Sequence, residues 1–158
     1  MAQTSNTDPY NYTMTFDLNR VQNATDIAIA RTMMHESIHA YLFSVFALND
    51  SIYEADFPLA WAKFLEDPNK DFSTDEGLHH EQMAQSYVDA LKFGLIDIYG
   101  VSDYKNEEYW ENIALGGLIE TAWFDTTSVY SSTRKRTIKD QNSYEDTNHE
   151  YSRGSLCN

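Results

Sequence analysis

A mainly helical α+β fold is predicted for this chain by three observations. From Ile27 the apolar residues recur in steps of three and four (Ile27, Ala30, Met34, Ile38, Tyr41, Val45, Leu48), the period of an amphipathic helix. The same period returns in Met83, Ala84, Tyr87, Val88 and Leu91. Ahead of both, Tyr10 to Leu18 alternates apolar and polar without a break, the mark of a half-buried strand. At 158 residues the chain is long enough for one domain with a real core and too short for two ordinary ones.

Taken in order, the strand over Tyr10–Leu18 is followed by the first long helix. Asn23, Thr25 and Asp26 are its N-cap candidates, and Asn49-Asp50-Ser51 reads as its end. A short piece from Phe57 to Leu65 has Pro58 as an N1 residue and Trp61 and Phe64 to bury. Asp67 to Asp71 is a turn-rich connector. The second long helix is expected from Thr74 to Phe93, with Ser73 and Glu76 as a capping box and Gly94 as its C′ residue. A third helix spans Tyr104 to Leu115, closing at Gly116-Gly117, and a short one covers Leu118 to Phe124. From Thr126 the chain turns polar and shows no clear period. Residues 1–125 are thus expected to form the domain, with 126–158 a polar tail that can pack on it.

Composition limits the function classes. Hydrophobic residues make up 42% and aromatics 14%, which describes a chain that folds. Acidic residues outnumber basic ones 25 to 11, for a net charge of −14, and such a field repels phosphate backbones, so no nucleic-acid partner is expected. The one basic cluster (Arg134, Lys135, Arg136, Lys139) reads as a solvated surface segment. No apolar run reaches the ~20 residues of a membrane span. The polar start, Met-Ala-Gln-Thr-Ser-Asn, reads as a domain cut from a longer precursor, and a removed leader would make it secreted or surface-exposed. With Cys157 the single cysteine, no internal disulfide and no cysteine-bound metal are expected.

The chemistry sits in the first long helix, where His35-Glu36-Ser37-Ile38-His39 has the pattern H-E-x-x-H. Residues four apart lie one turn apart on one face, so His35 and His39 can aim their rings at one metal ion. Zinc takes neutral imidazoles tetrahedrally, and Glu36 stands where its carboxylate can deprotonate a water that the metal activates. The motif therefore predicts a metal-assisted hydrolase, with Glu36 catalytic. A catalytic zinc normally takes three protein ligands and leaves one position open. His79-His80-Glu81 stands near the start of the second helix, and running its apolar stripe backwards puts His80 on the buried side. His80 is the first candidate for third ligand, ahead of Glu81 and then His79. His149 lies in the polar segment and is expected at the surface.

The segment Met34-His35-Glu36-Ser37-Ile38-His39-Ala40-Tyr41-Leu42-Phe43 resembles the active-site helix of the SprT-like (Spartan) metalloproteases. The wider pattern is similar to uncharacterised bacterial zincin-like metallopeptidases, through His80-Glu81-Gln82-Met83-Ala84 and Gly116-Gly117-Leu118. That likeness spans about Thr25 to Thr121. It implies a zincin-like fold, in which the active-site helix packs against a small sheet and a second long helix supplies the third ligand. It also implies Zn2+ held by His35, His39 and His80, with Glu36 as general base. The H-G-x-x-F pattern and Cys-rich ribbon of SprT proteins are absent, which argues against DNA–protein crosslink repair.

The expected activity is zinc-dependent endopeptidase hydrolysis of a protein or peptide substrate. An extended peptide would add to the open edge of the Tyr10–Leu18 strand. Tyrosines are the oxyanion-donor candidates, and the sequence selects none of them. Two other readings share the motif: a non-catalytic module that keeps zinc for folding, and an effector or toxin domain of a larger secreted protein. Neither compartment nor oligomeric state follows from the sequence.

Overall fold

The computed structural model describes residues 2–8, 11–47, 76–119 and 122–156, with side chains given outside 2–8, 39, 41–47, 76–86 and 122. Among the described residues the fold is mainly helical. Strand β1 (Ala2–Asp8) pairs antiparallel with β2 (Asn11–Phe16), Ala2 opposite Phe16 and Asn6 opposite Tyr12, with a register irregularity between Asn6 and Asp8. Along β2 exposed and half-buried residues alternate, Tyr12, Met14 and Phe16 facing inward. The strand read from the sequence is thus present over residues 11–16. Its partner, Gln-Thr-Ser-Asn-Thr-Asp after Ala2, is too polar to show a strand period. Helix α1 (Leu18–Asn23) follows, capped by the Asp17 carboxylate accepting from the Asn19 amide at 2.9 Å.

Helix α2 (Asp26–Ala47) starts where Thr25 turns its hydroxyl onto the Ala28 amide at 3.2 Å, an N-cap bond that satisfies a free donor of the first turn. The hairpin adjoins α2. Helix α3 (Glu76–Tyr99) packs against α2 in the opposite sense. Ile27 near the start of α2 shares a cluster with Leu95, Ile96 and Tyr99 near the end of α3, while His35 further on meets Tyr87. Gly94, read from the sequence as the end of this helix, instead lies inside it. The space a side chain would take there is filled by the end of Met34 from α2. The helix stops at Gly100, which takes the left-handed φ of +75° and offers its carbonyl to the Trp110 indole at 2.9 Å. Ser73 and the segments Phe57–Leu65 and Asp67–Asp71 lie outside the described residues.

Helix α4 (Glu107–Ala114) begins with the Asn106 side chain accepting from the Tyr109 amide, with Glu107 and Glu108 placed favourably for the helix dipole. It is the central element: Tyr109, Trp110, Asn112, Ile113 and Ala114 are all buried. A 3₁₀ turn over Leu115–Leu118 and the short α5 (Ala122–Thr126) follow, close to the breaks that Gly116-Gly117 announced. Val88, Leu91, Ala114, Leu115, Leu118, Phe124 and Ile138 form the larger apolar cluster, with Met34, Ile38 and Tyr87 against it.

The polar segment after Thr126 contains a helix that the apolar pattern did not reveal. Helix α6 (Ser132–Asp146) is capped by Ser131 and buries Ile138, Asn142 and Glu145. These are spaced four and three apart, the helical period, but two of the three are polar, so a search for apolar repeats passes over them. The basic cluster on α6 faces acceptors of its own chain. Arg134 pairs with Glu108 and Glu111, Lys139 with Asp125, and the Lys135 ammonium caps α5 by donating to the carbonyls of Asp125 and Thr127 at 2.8 Å each. Arg136, 85% exposed, makes a long surface pair with Asp140 at 3.8 Å.

Candidate metal centre on helix α2

The H-E-x-x-H run lies wholly within α2, so the condition that gave the motif its meaning is met: residues 35 and 39 are one helical turn apart. His35 is half-buried and Glu36 is buried at 7% exposure. His39 continues on α2, and His79, His80 and Glu81 lie in the first two turns of α3; the side chains of these four lie outside the described residues. Position 80 precedes Tyr87 by seven residues, about two turns, and so shares its stripe on α3. His149 is exposed and stacks on Tyr144, the ring centroids 4.7 Å apart.

Among the described residues, contacts from three elements brace the His35–Glu36 turn. The first comes from α3: the Tyr87 hydroxyl is hydrogen-bonded to His35 Nδ1, and the two rings meet edge to face with centroids 5.6 Å apart. Burial, then the negative charge of Glu36, pushes the Tyr87 phenol far above its ordinary range, with Arg31 opposing. Tyr87 is therefore a neutral phenol at all physiological pH. The second comes from the 3₁₀ turn, where a side chain at Gly117 would run into the His35 ring and one at Gly116 into Asn142 and Arg31. The Gly-Gly pair thus permits two close approaches at once.

The third contact lies one turn before His35. Arg31, 8% exposed, donates to Asn142 Oδ1 and to the Asp146 carboxylate, each at 2.7 Å, which ties α2 to α6. Asn142 in turn donates to the carbonyls of Asn112 and Ile138. At the start of α2 a second polar knot gathers around Glu145, which is 1% exposed. Its carboxylate accepts from the Thr25 hydroxyl at 2.6 Å, the Tyr109 hydroxyl at 2.7 Å, the Arg153 amide at 2.6 Å and the Gly154 amide at 3.1 Å. Asp26 adds a reciprocal pair with Ser155.

Sequence reasoning reached His35 and Glu36 but missed their supports. Tyr87 was visible only as one residue of an apolar stripe, although its register with His80 was already a pointer. Arg31 carried a signal too, being one turn before the first histidine. Asn142, Glu145 and Asp146 sat in a stretch with no apolar period and gave none.

Among the described residues no group of three or more His, Cys, Asp or Glu side chains comes together to hold a metal ion, and of the residues the motif points to only His35 and Glu36 have described side chains. With His35 Nδ1 engaged by Tyr87, a metal would be taken through Nε2, and an imidazole bonded through its other nitrogen is the usual state of a metal-bound histidine. No family model matches this chain, and neither the curated proteins nor the solved structures contain a significant match to it.

Proposed function

We propose that the protein is a zinc-dependent endopeptidase of zincin type, with His35, His39 and His80 holding the metal and Glu36 as general base. The observation that carries this reading is the placement of H-E-x-x-H on one helix, with Glu36 buried and the His35 ring held through Nδ1 by a second helix. When bound, zinc supplies a Lewis acid that polarises the scissile carbonyl and acidifies water. Glu36 accepts the proton of the attacking water and passes it to the departing amine. Arg31, through Asn142 and Asp146, keeps the turn that carries both residues fixed on α6. The hairpin beside α2 offers an extended edge on which a peptide substrate can lie.

A charge of −14 and the internal pairing of Arg134 and Lys139 support a protein or peptide substrate over nucleic acid. Among the described residues no helix is long and apolar enough to cross a membrane.

The test is metal content and peptide-library digestion with two variants. His39→Ala should lose zinc on dialysis. Glu36→Gln should keep zinc and fold while turnover falls by roughly 10²–10⁴-fold. A full equivalent of zinc in the first variant, or undiminished cleavage in the second, refutes the assignment.

A further inference from the structure

The contact between Tyr87 and His35 has no counterpart in the H-E-x-x-H motif, and three features set it apart from ordinary packing. It joins a phenol to a ring nitrogen, so it is directional where the surrounding cluster of Val88, Leu91, Ala114 and Leu118 is not. It engages Nδ1 and so leaves to Nε2 the role of metal donor. The third feature is on the opposite element: Gly117 faces the Nδ1 edge of the same ring, where a side chain would collide with Nδ1, Cε1 and Cγ. One element thus provides a polar partner for the Nδ1 edge, and another keeps that edge uncrowded.

We propose that Tyr87 is a positioning residue for the metal centre, fixing the rotation of the His35 ring and directing Nε2 to the metal. This rests on the zinc reading above. A metal-bound neutral imidazole carries its proton on the other nitrogen. His35 Nδ1–H then donates to the Tyr87 oxygen, and a phenol oxygen accepts such a bond. Without metal the same hydroxyl can donate to a bare Nδ1. The bond persists in either direction, so the ring is oriented before the metal arrives, and ordering it adds nothing to the cost of binding. A purely structural tyrosine would be replaceable by phenylalanine, which fills the same volume in the same cluster.

Zinc affinity, measured against a chromophoric chelator for the full chain, Tyr87→Phe and His35→Ala, decides the matter. Tyr87→Phe should keep the metal-free thermal stability close to that of the unaltered chain and weaken zinc binding roughly 10–100-fold, the usual effect of removing a hydrogen-bond partner of a ligating histidine. His35→Ala should abolish tight binding. Equal affinity in the unaltered chain and Tyr87→Phe overturns the role of Tyr87 and leaves the metal site standing. Failure of the unaltered chain to bind zinc overturns the metal reading itself, and this proposal with it. Should Tyr87→Phe not fold, ring-nitrogen NMR of the zinc-loaded unaltered chain takes its place. A protonated Nδ1 with metal on Nε2 of His35 supports the proposal, and metal on Nδ1 overturns it.

Discussion

Replacing Glu145 should separate a polar core from an apolar one. Its carboxylate is buried at 1% exposure and takes four donors, two of them hydroxyls within the core and two of them backbone amides nearer the surface. In Glu145→Ala the hydroxyls of Thr25 and Tyr109 lose their acceptor where water cannot easily replace it, at about 1–3 kcal/mol each. The amides of Arg153 and Gly154 are only part-buried, so water takes over there and they add little. Relief from burying a charge offsets some of the loss. The net expectation is destabilisation of about 2–4 kcal/mol. Glu145→Gln keeps the volume and one acceptor oxygen, which can still serve Tyr109 and Arg153. Its amide group then faces the Thr25 hydroxyl, which can rotate to accept, and the Gly154 amide, which cannot. That variant should cost about 1–2 kcal/mol. Urea unfolding followed by tryptophan fluorescence suits the measurement, because the buried Trp110 ring stands 5.0 Å from that of Tyr109. A chelator in all samples removes any metal-linked difference. If the alanine variant lies within about 1 kcal/mol of the unaltered chain, or the glutamine variant costs as much as alanine, the account of the knot is wrong.

Two further expectations concern neighbouring elements. Tyr130, bonded to Glu111 at 3.2 Å, has its phenol pushed up to about 12 by burial first and by Glu111 second. Because the folded value lies above the unfolded ~10, its contribution to stability is full below pH ~10 and is lost as pH rises through the folded value. Unfolding titrations at alkaline pH should show a shallower loss for Tyr130→Phe, and an identical loss in both proteins counts against this. Alanine at Gly117 meets the Nδ1 edge of a ring that Tyr87 engages by the same nitrogen, whereas alanine at Gly94 meets only the flexible end of Met34. Thermal unfolding should therefore show a cost of about 1–3 kcal/mol at Gly117 and a near-neutral change at Gly94, where gained helix propensity offsets the squeeze. Equal costs at both sites would sink the distinction.

How much of this was legible in the sequence depended on what each element buries. Helix α2 and strand β2 bury apolar residues at regular intervals, so Ile27, Met34 and Ile38, and Tyr12, Met14 and Phe16, were found by period alone. Helix α6 buries one isoleucine beside an asparagine and a glutamate, and nothing in their type says inward. Gly94 misled for a related reason. A glycine after an apolar stripe normally ends a helix, but this one lies inside its helix, where the end of Met34, a residue sixty positions earlier in the chain, fills the space a side chain would take. At the site, the local motif named His35 and Glu36. Tyr87, Gly117 and Arg31 act through contacts between distant segments, which a local pattern does not encode.

The ties between α2 and α6 also have a consequence in time. Helix α2 forms by bonds between near neighbours, but the residues that fix it are far along the chain: Thr25 to Glu145 spans 120 positions, and Asp26 to Ser155 spans 129. Arg31 is made 111 residues before its partner Asn142. At about 5–20 residues per second of synthesis, that separation is roughly 6–22 s. Throughout that interval the turn bearing His35 and Glu36 has been made but lacks the partners that anchor Arg31. The residues proposed to hold a metal on α2 are therefore made well before the residues that lock their turn in place exist.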